Sequence, residues 1–108
     1  MAKMERTLHG DFNEILSRIE TGIMKGSISA SLEDGSDFSD GCSRCAVRVF
    51  ERYSAMGSNR VSLNVTLFQT KDGMIRLSAI TSGGSQAMFF KLNTFGEQAF
   101  LNKLAEIL

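Results

Sequence analysis

The strongest structural signal in the chain is a strict alternation of apolar and polar residues on both sides of an Asp-Gly turn. In Arg60–Phe68 every second residue is apolar, and the alternation resumes at Ile75 after the turn at Lys71–Gly73. A period of two is typical of strands with one buried face, and an Asp-Gly pair between two such runs predicts an antiparallel hairpin. The chain is therefore expected to fold around an antiparallel sheet that is buried on one side.

Two segments have the periodicity of amphipathic helices. The first is Phe12–Ile23, which follows an N-cap at Asp11 with a glutamate three residues on, as in a capping box. We expect this helix to end within Gly22–Gly26, because glycine commonly follows the last helical residue. The second segment begins with a similar capping pattern at Thr94–Glu97 and has an apolar side along Phe100–Leu108.

Four further segments alternate and predict strands, and an acidic stretch rich in glycine and serine, Glu33–Gly41, predicts a loop. The strands are Met4–His9, Ser27–Glu33, Cys45–Tyr53 and Gln86–Leu92. The inward residues expected in the second and third of these are Ile28, Ala30, Leu32, Val47 and Val49.

The predicted order of elements is β-α-β-β-β-β-β-α with mostly short links, which favours an antiparallel meander. Two amphipathic helices can cover one face of such a sheet, so the fold class is an α+β two-layer sandwich with five to six strands. The order resembles that of the TATA-box-binding-protein-like fold and of a reduced helix-grip fold.

Composition restricts the classes of partner. The 108 residues correspond to a single domain, 1–108, and the 12 basic residues balance the 12 acidic ones. We therefore expect no overall field that attracts nucleic acid or anionic lipid. The chain has no apolar run long enough to span a membrane and no apolar stretch of a signal peptide, so we expect a cytoplasmic protein without membrane contact and with reduced cysteines.

Four strings of the sequence together resemble a small bacterial family of domains of unknown function. They are Ser27–Asp34, Arg44–Ser54, Ser78–Ala87 and Phe89–Glu97. The resemblance implies a bacterial domain and brings with it no activity, ligand or catalytic residue.

Cysteine and histidine are the first candidates for chemistry. Cys42 and Cys45 form a Cys-x-x-Cys pair, but the pair leads into a strand, whereas redox pairs place the first thiol at a helix N-terminus. A metal site needs two more ligands, and His9 is the one histidine in the sequence. We therefore interpret all three residues as structural and expect neither a metal nor another cofactor.

Two predicted loops are candidate ion-binding sites. Glu33–Gly41 has four carboxylates, but it lacks the spacing of a calcium-binding EF-hand, so a solvated acidic loop is the simpler interpretation. Ser82–Gln86 contains a glycine pair that could bind an anion through backbone N–H groups. It is expected to lead into a strand rather than a helix, so a hairpin turn is the simpler interpretation.

The outward face of the sheet is the best candidate for a binding surface. Alternation predicts that it combines arginines with an aromatic residue, a mixture in which protein interfaces are enriched. A solvated polar face is the simplest alternative, and the same mixture could also bind single-stranded nucleic acid or an anionic ligand. The candidate interface residues are Arg48, Phe50, Arg52, Arg60, Asn64 and Arg76.

Three classes of function follow from these observations. The first is a non-enzymatic binding or assembly domain that forms a homo-oligomer through its sheet face or an edge strand. The alternative is a carrier of a small apolar ligand, with a pocket between sheet and closing helix that uses Phe89, Phe90, Phe95, Phe100 and methionines. Enzymatic activity is disfavoured, because no acid, base and nucleophile converge in the sequence.

Overall fold

Five strands and two helices make up the computed structural model, which describes residues 1–53, 59–83 and 90–108, with side chains in the last range from residue 96 onward. The elements are β1 (Ala2–Leu8), α1 (Phe12–Gly26), β2 (Ser31–Asp40), β3 (Ser43–Tyr53), β4 (Arg60–Gln69), β5 (Ile75–Gly83) and α2 (Phe90–Ile107). All strands pair antiparallel in the order β1-β5-β4-β3-β2. The predicted α+β class, with a five-stranded antiparallel sheet and two helices, is confirmed.

The central hairpin of β4 and β5 forms as the alternation predicts. The inward residues of both strands are buried: Val61, Leu63, Val65, Leu67, Ile75, Leu77 and Ala79. The turn places Gly73 at a φ of +88°, a conformation that favours glycine, and its N–H donates to the Thr70 carbonyl oxygen at 3.0 Å. Hydrogen bonds from the Thr70 hydroxyl and the Met74 N–H hold the pKa of Asp72 below its usual value.

Helix α1 begins and ends where it was predicted to. The Asp11 carboxylate accepts a hydrogen bond from the Glu14 N–H at 2.9 Å, which confirms the N-cap. The helix ends at Gly26, within the predicted range Gly22–Gly26, so both glycines belong to the helix and neither follows its last residue. These glycines serve packing instead: a Cβ on Gly22 would lie 2.7 Å from the Ile107 side chain of α2, so the missing side chain lets the two helices approach closely.

Helix α2 starts earlier than the capping pattern at Thr94–Glu97 predicted. Of the predicted strand Gln86–Leu92, the last three residues belong to α2, and residues 86–89 lie outside the described part of the chain. A short apolar run fits a strand and a buried helix equally well, and periodicity does not separate them. Glu97, inside α2, is buried, and its carboxylate accepts a hydrogen bond from the Gly83 N–H of β5 at 2.9 Å.

The acidic segment is a strand and not the predicted loop. Strand β2 begins after a turn at residues 28–29, so Ile28 is fully exposed and Leu32 is 43% exposed, contrary to the predicted inward positions. Ala30 is partly buried against the core. An edge strand that buries neither face shows no apolar alternation, and charged residues are a common way to protect such an edge from pairing. These two facts explain why the sequence pattern there was misleading.

Strand β3 has the opposite orientation to the predicted one. Phe50 lies opposite Leu63 of β4 and is completely buried, whereas Val47 and Val49 lie on the other face. Residues directly opposite in an antiparallel pair share a face, so the arginines two residues to either side of Phe50 also point toward the helices. The prediction treated every arginine as solvent-facing, although an arginine can cover apolar surface with its stem.

Candidate interaction surface

Both helices cover the same side of the sheet, and the other side is called the open face below. Its members follow from the strand register, in which residues opposite one another share a face. They include Lys3, Glu5 and Thr7 of β1, Arg76, Ser78, Ile80 and Ser82 of β5, Arg60, Ser62, Asn64, Thr66 and Phe68 of β4, Cys45, Val47, Val49 and Glu51 of β3, and Ser36 and Phe38 of β2.

Several open-face residues are apolar. Phe38, Cys45 and Phe68 lie directly opposite one another on three adjacent strands, near the turns that join β2 to β3 and β4 to β5. Phe38 is 67% exposed and Phe68 40%. Val47 and Val49 follow Cys45 along β3, and Ile80 lies across Asn64 from Val49. We call these six residues the apolar centre (Phe38, Cys45, Val47, Val49, Phe68 and Ile80). Contiguous exposed apolar surface with a polar border is a usual mark of an interaction site.

Charged groups surround the apolar centre. Lys3 and Glu5 lie on β1 and Arg76 on β5. On the opposite side, Arg60 forms ion pairs with Glu51 and with Glu33, the latter at 3.4 Å. A depression of about 260 Å³ around Arg76 is lined by the Phe68 ring and the side chains of Thr66 and Ser78. The open face therefore has the apolar core and polar rim that characterise protein interfaces.

Half of the predicted interface residues lie elsewhere. Arg60, Asn64 and Arg76 are on the open face, as expected. The outward orientation predicted for Arg48, Phe50 and Arg52 is wrong, since all three lie on the helix-covered face. The two valines of the open face and Phe38 were missed; the signal that could have found them is the pairing of β3 with the unambiguous strand β4.

The arginines on the covered face of β3 pack against the helices. Arg44 lies 4.2 Å from the centre of the Phe12 ring and Arg52 lies 4.4 Å from that of Phe100. Such cation–π contacts stabilise an arginine that is partly removed from water. Burial lowers the pKa of Arg52.

Arg48, between these two, connects three elements. Its guanidinium donates to Glu20 of α1 at 2.9 Å and to Asp37 of β2 at 3.0 Å. Burial alone would lower the pKa of Arg48, but the hydrogen bonds to the two carboxylates outweigh it and raise the pKa above its usual value. Gly35 leaves room for the Arg48 side chain, since a Cβ at position 35 would lie 2.9 Å from the Arg48 Cδ.

The cysteines and the histidine do not converge. Cys42 is exposed in the turn between β2 and β3, Cys45 lies on the open face, and both are free thiols. His9 is exposed between β1 and α1.

The residues of the two candidate ion-binding sites do not form a cluster either. Within the described residues, no group of three or more histidine, cysteine or carboxylate side chains could hold a metal ion. The four carboxylates of the acidic segment lie along β2, with Asp37 bound by Arg48. Of the glycine-containing Ser82–Gln86, Ser82 and Gly83 end strand β5, and the others lie outside the described residues.

The fold and this surface define the class as an α+β domain with one uncovered sheet face. Comparison with known families gives the particular identity: the chain matches the family of unknown function DUF6054 over residues 1–108 and belongs to it. The resemblance to a family of domains of unknown function is thereby confirmed.

Two other comparisons found no relatives. No curated protein and no solved structure matches the chain. In the described residues, neither helix has the length and apolar character needed to cross a membrane.

Proposed function

We propose that the protein is a non-enzymatic assembly domain that binds a second copy of itself through the open face. The observation that carries this proposal is the apolar centre, which keeps Phe38, Phe68 and Ile80 at least 40% exposed on a surface that no helix covers. Removing such a patch from water is favourable by roughly 25 cal/mol per Å² of apolar area. A second copy can cover this patch, because in a two-fold contact the same surface of each chain binds the other.

The size of the open face suits a dimer. Five strands about 4.8 Å apart and about 30 Å long present roughly 700 Å², close to the roughly 800 Å² per partner of a standard interface. Asn64, Thr66 and Ser78 lie between the apolar residues and can form hydrogen bonds across such an interface. Cytoplasmic location and bacterial origin remain expectations from the sequence.

The test is the solution mass of a variant that makes the apolar centre polar. Phe68→Thr with Ile80→Thr replaces two 40%-exposed apolar side chains by a residue that strands tolerate well. The matched control is Met24→Ser on α1, where the lost side chain is 42% exposed but lies in the helical layer.

We expect sedimentation to show a lower mass for the double variant than for the wild type, with native circular dichroism, and an unchanged mass for the control. Equal masses for all three proteins would refute the contact through the open face. A small-molecule adduct in native mass spectrometry would instead favour the carrier alternative. The side chains at positions 89, 90 and 95 that a carrier would need lie outside those described.

A further inference from the structure

The two edges of the sheet differ sharply in charge. Within the described residues, β1 and β2 are the end strands of the sheet, and each has one edge without a neighbouring strand. Strand β2 contains four acidic residues and no basic one, whereas β1 contains both signs. The charged residues are Glu33, Asp34, Asp37 and Asp40 on β2 and Lys3, Glu5 and Arg6 on β1.

This difference decides which edge can pair with its own copy. Two β2 strands placed side by side about a two-fold axis would bring only carboxylates together, and like charges opposite one another destabilise a strand pair. Charge of this kind is a common protection against edge-to-edge pairing. Strand β1 lacks this like-charge repulsion, because its charges are of both signs.

We propose that β1 pairs antiparallel with β1 of a second copy, with Met4 opposite the partner's Met4 on the two-fold axis. In this register Lys3 lies opposite the partner's Glu5, and Glu5 lies opposite the partner's Lys3. An isologous contact makes every pair twice, so one register yields two ion pairs. Oppositely charged cross-strand pairs stabilise a sheet.

The charges select this register over its neighbours. The helices of both copies stay on one side of the joined sheet only if paired residues point to the same face. The allowed registers are therefore two residues apart. The next one on either side places Glu5 opposite the partner's Glu5, or Lys3 opposite the partner's Lys3. Both side chains are also available, because among the described residues neither Lys3 nor Glu5 takes part in an ion pair.

The contact joins two five-stranded sheets into one of ten strands and makes the two open faces continuous. It uses a different surface and a different axis from the open-face contact, so it goes beyond the proposed function and does not depend on it. Where the two two-fold axes intersect at right angles, a chain that uses both contacts forms a closed tetramer, a common symmetry for homo-oligomers.

A charge-swap series tests the register. Lys3→Glu and Glu5→Lys are each expected to raise the dissociation constant at least about tenfold, because two attractive pairs become repulsive. The double variant Lys3→Glu with Glu5→Lys restores unlike charges and should return to within about threefold of wild type. Sedimentation equilibrium is run in the wild type and in the Phe68→Thr with Ile80→Thr variant, where the edge contact alone remains.

A cross-link provides the second readout. Met4→Cys, oxidised in the otherwise unchanged chain, should give a disulfide between the two introduced thiols, identified by peptide mass spectrometry. Equal dissociation constants across the charge-swap series, a double variant as weak as the single ones, or the absence of the position-4 disulfide would each overturn the proposal. An unchanged mass of the Phe68→Thr with Ile80→Thr variant together with an intact charge-swap effect would refute the proposed function and leave this inference standing.

Discussion

At the scale of single residues, Arg48 shows how a charged side chain can organise a small fold. Its guanidinium bonds to a carboxylate on a helix and to another on the edge strand, and it also donates to the Val47 carbonyl oxygen at 2.9 Å. The Arg48 side chain is only 12% exposed, whereas Glu20 is 34% and Asp37 65% exposed. Arg48 therefore links the edge strand β2, whose side chains are almost all exposed, to helix α1.

Replacing Arg48 by methionine tests this role. Arg48→Met keeps the stem and removes the guanidinium, so we expect a loss of about 1–3 kcal/mol in the free energy of unfolding, from the charge-assisted hydrogen bonds of a mostly buried guanidinium. The matched control is Arg60→Met, because Arg60 is 49% exposed and its ion pairs are open to solvent. The control should lose less than about 1 kcal/mol. Equal losses in urea titration would contradict the account.

At the scale of elements, the sequence pattern identifies a strand best where one face is buried and the other is exposed to solvent. Strands β4 and β5 meet this condition, and their inward residues were predicted correctly. Strand β3 was predicted with the wrong face inward because its covered face carries three arginines beside Ala46 and Phe50, a mixture that hydrophobicity alone assigns to water. Most of strand β2 was predicted as a loop because an edge strand exposed on both faces leaves no periodic signal.

The orientation of β3 gives a paired prediction. Phe50→Ala should lower the free energy of unfolding by about 3–5 kcal/mol, because it empties a fully buried position. Val49→Ala, one residue earlier on the open face, should lower it by less than about 1.5 kcal/mol in the monomer. Denaturant titration of both variants at low protein concentration measures the difference. A larger loss of stability for Val49→Ala than for Phe50→Ala would contradict this orientation of β3 and support the one predicted from the sequence.

The crossing of the two helices gives a second prediction at this scale. Gly22→Ala should destabilise the fold by about 1–3 kcal/mol, because the new Cβ would lie 2.7 Å from the Ile107 side chain. In an Ile107→Ala background the same change should be neutral or stabilising, since alanine is the better helix former by about 1 kcal/mol. A double-mutant cycle measures this coupling, and the absence of coupling would mean that the helices do not meet at Gly22.

At the scale of the whole molecule, the sheet has one covered face and one open face. The sequence predicted an open face and placed Arg60, Asn64 and Arg76 on it correctly. It could not place Phe38, which lies in the acidic segment, or Val47 and Val49, because their positions depend on the pairing of strands rather than on local pattern. The apolar centre is thus a product of register, which is fixed only when the strands assemble.

The central claim is that this chain associates with itself, and its solution mass tests that claim most directly. Sedimentation or light scattering of the wild type, measured from dilute to micromolar protein, should give a multiple of the 11.9 kDa chain mass that falls on dilution. Use of both proposed contacts predicts four chains, and use of one predicts two. A mass of 11.9 kDa at every concentration would contradict the account.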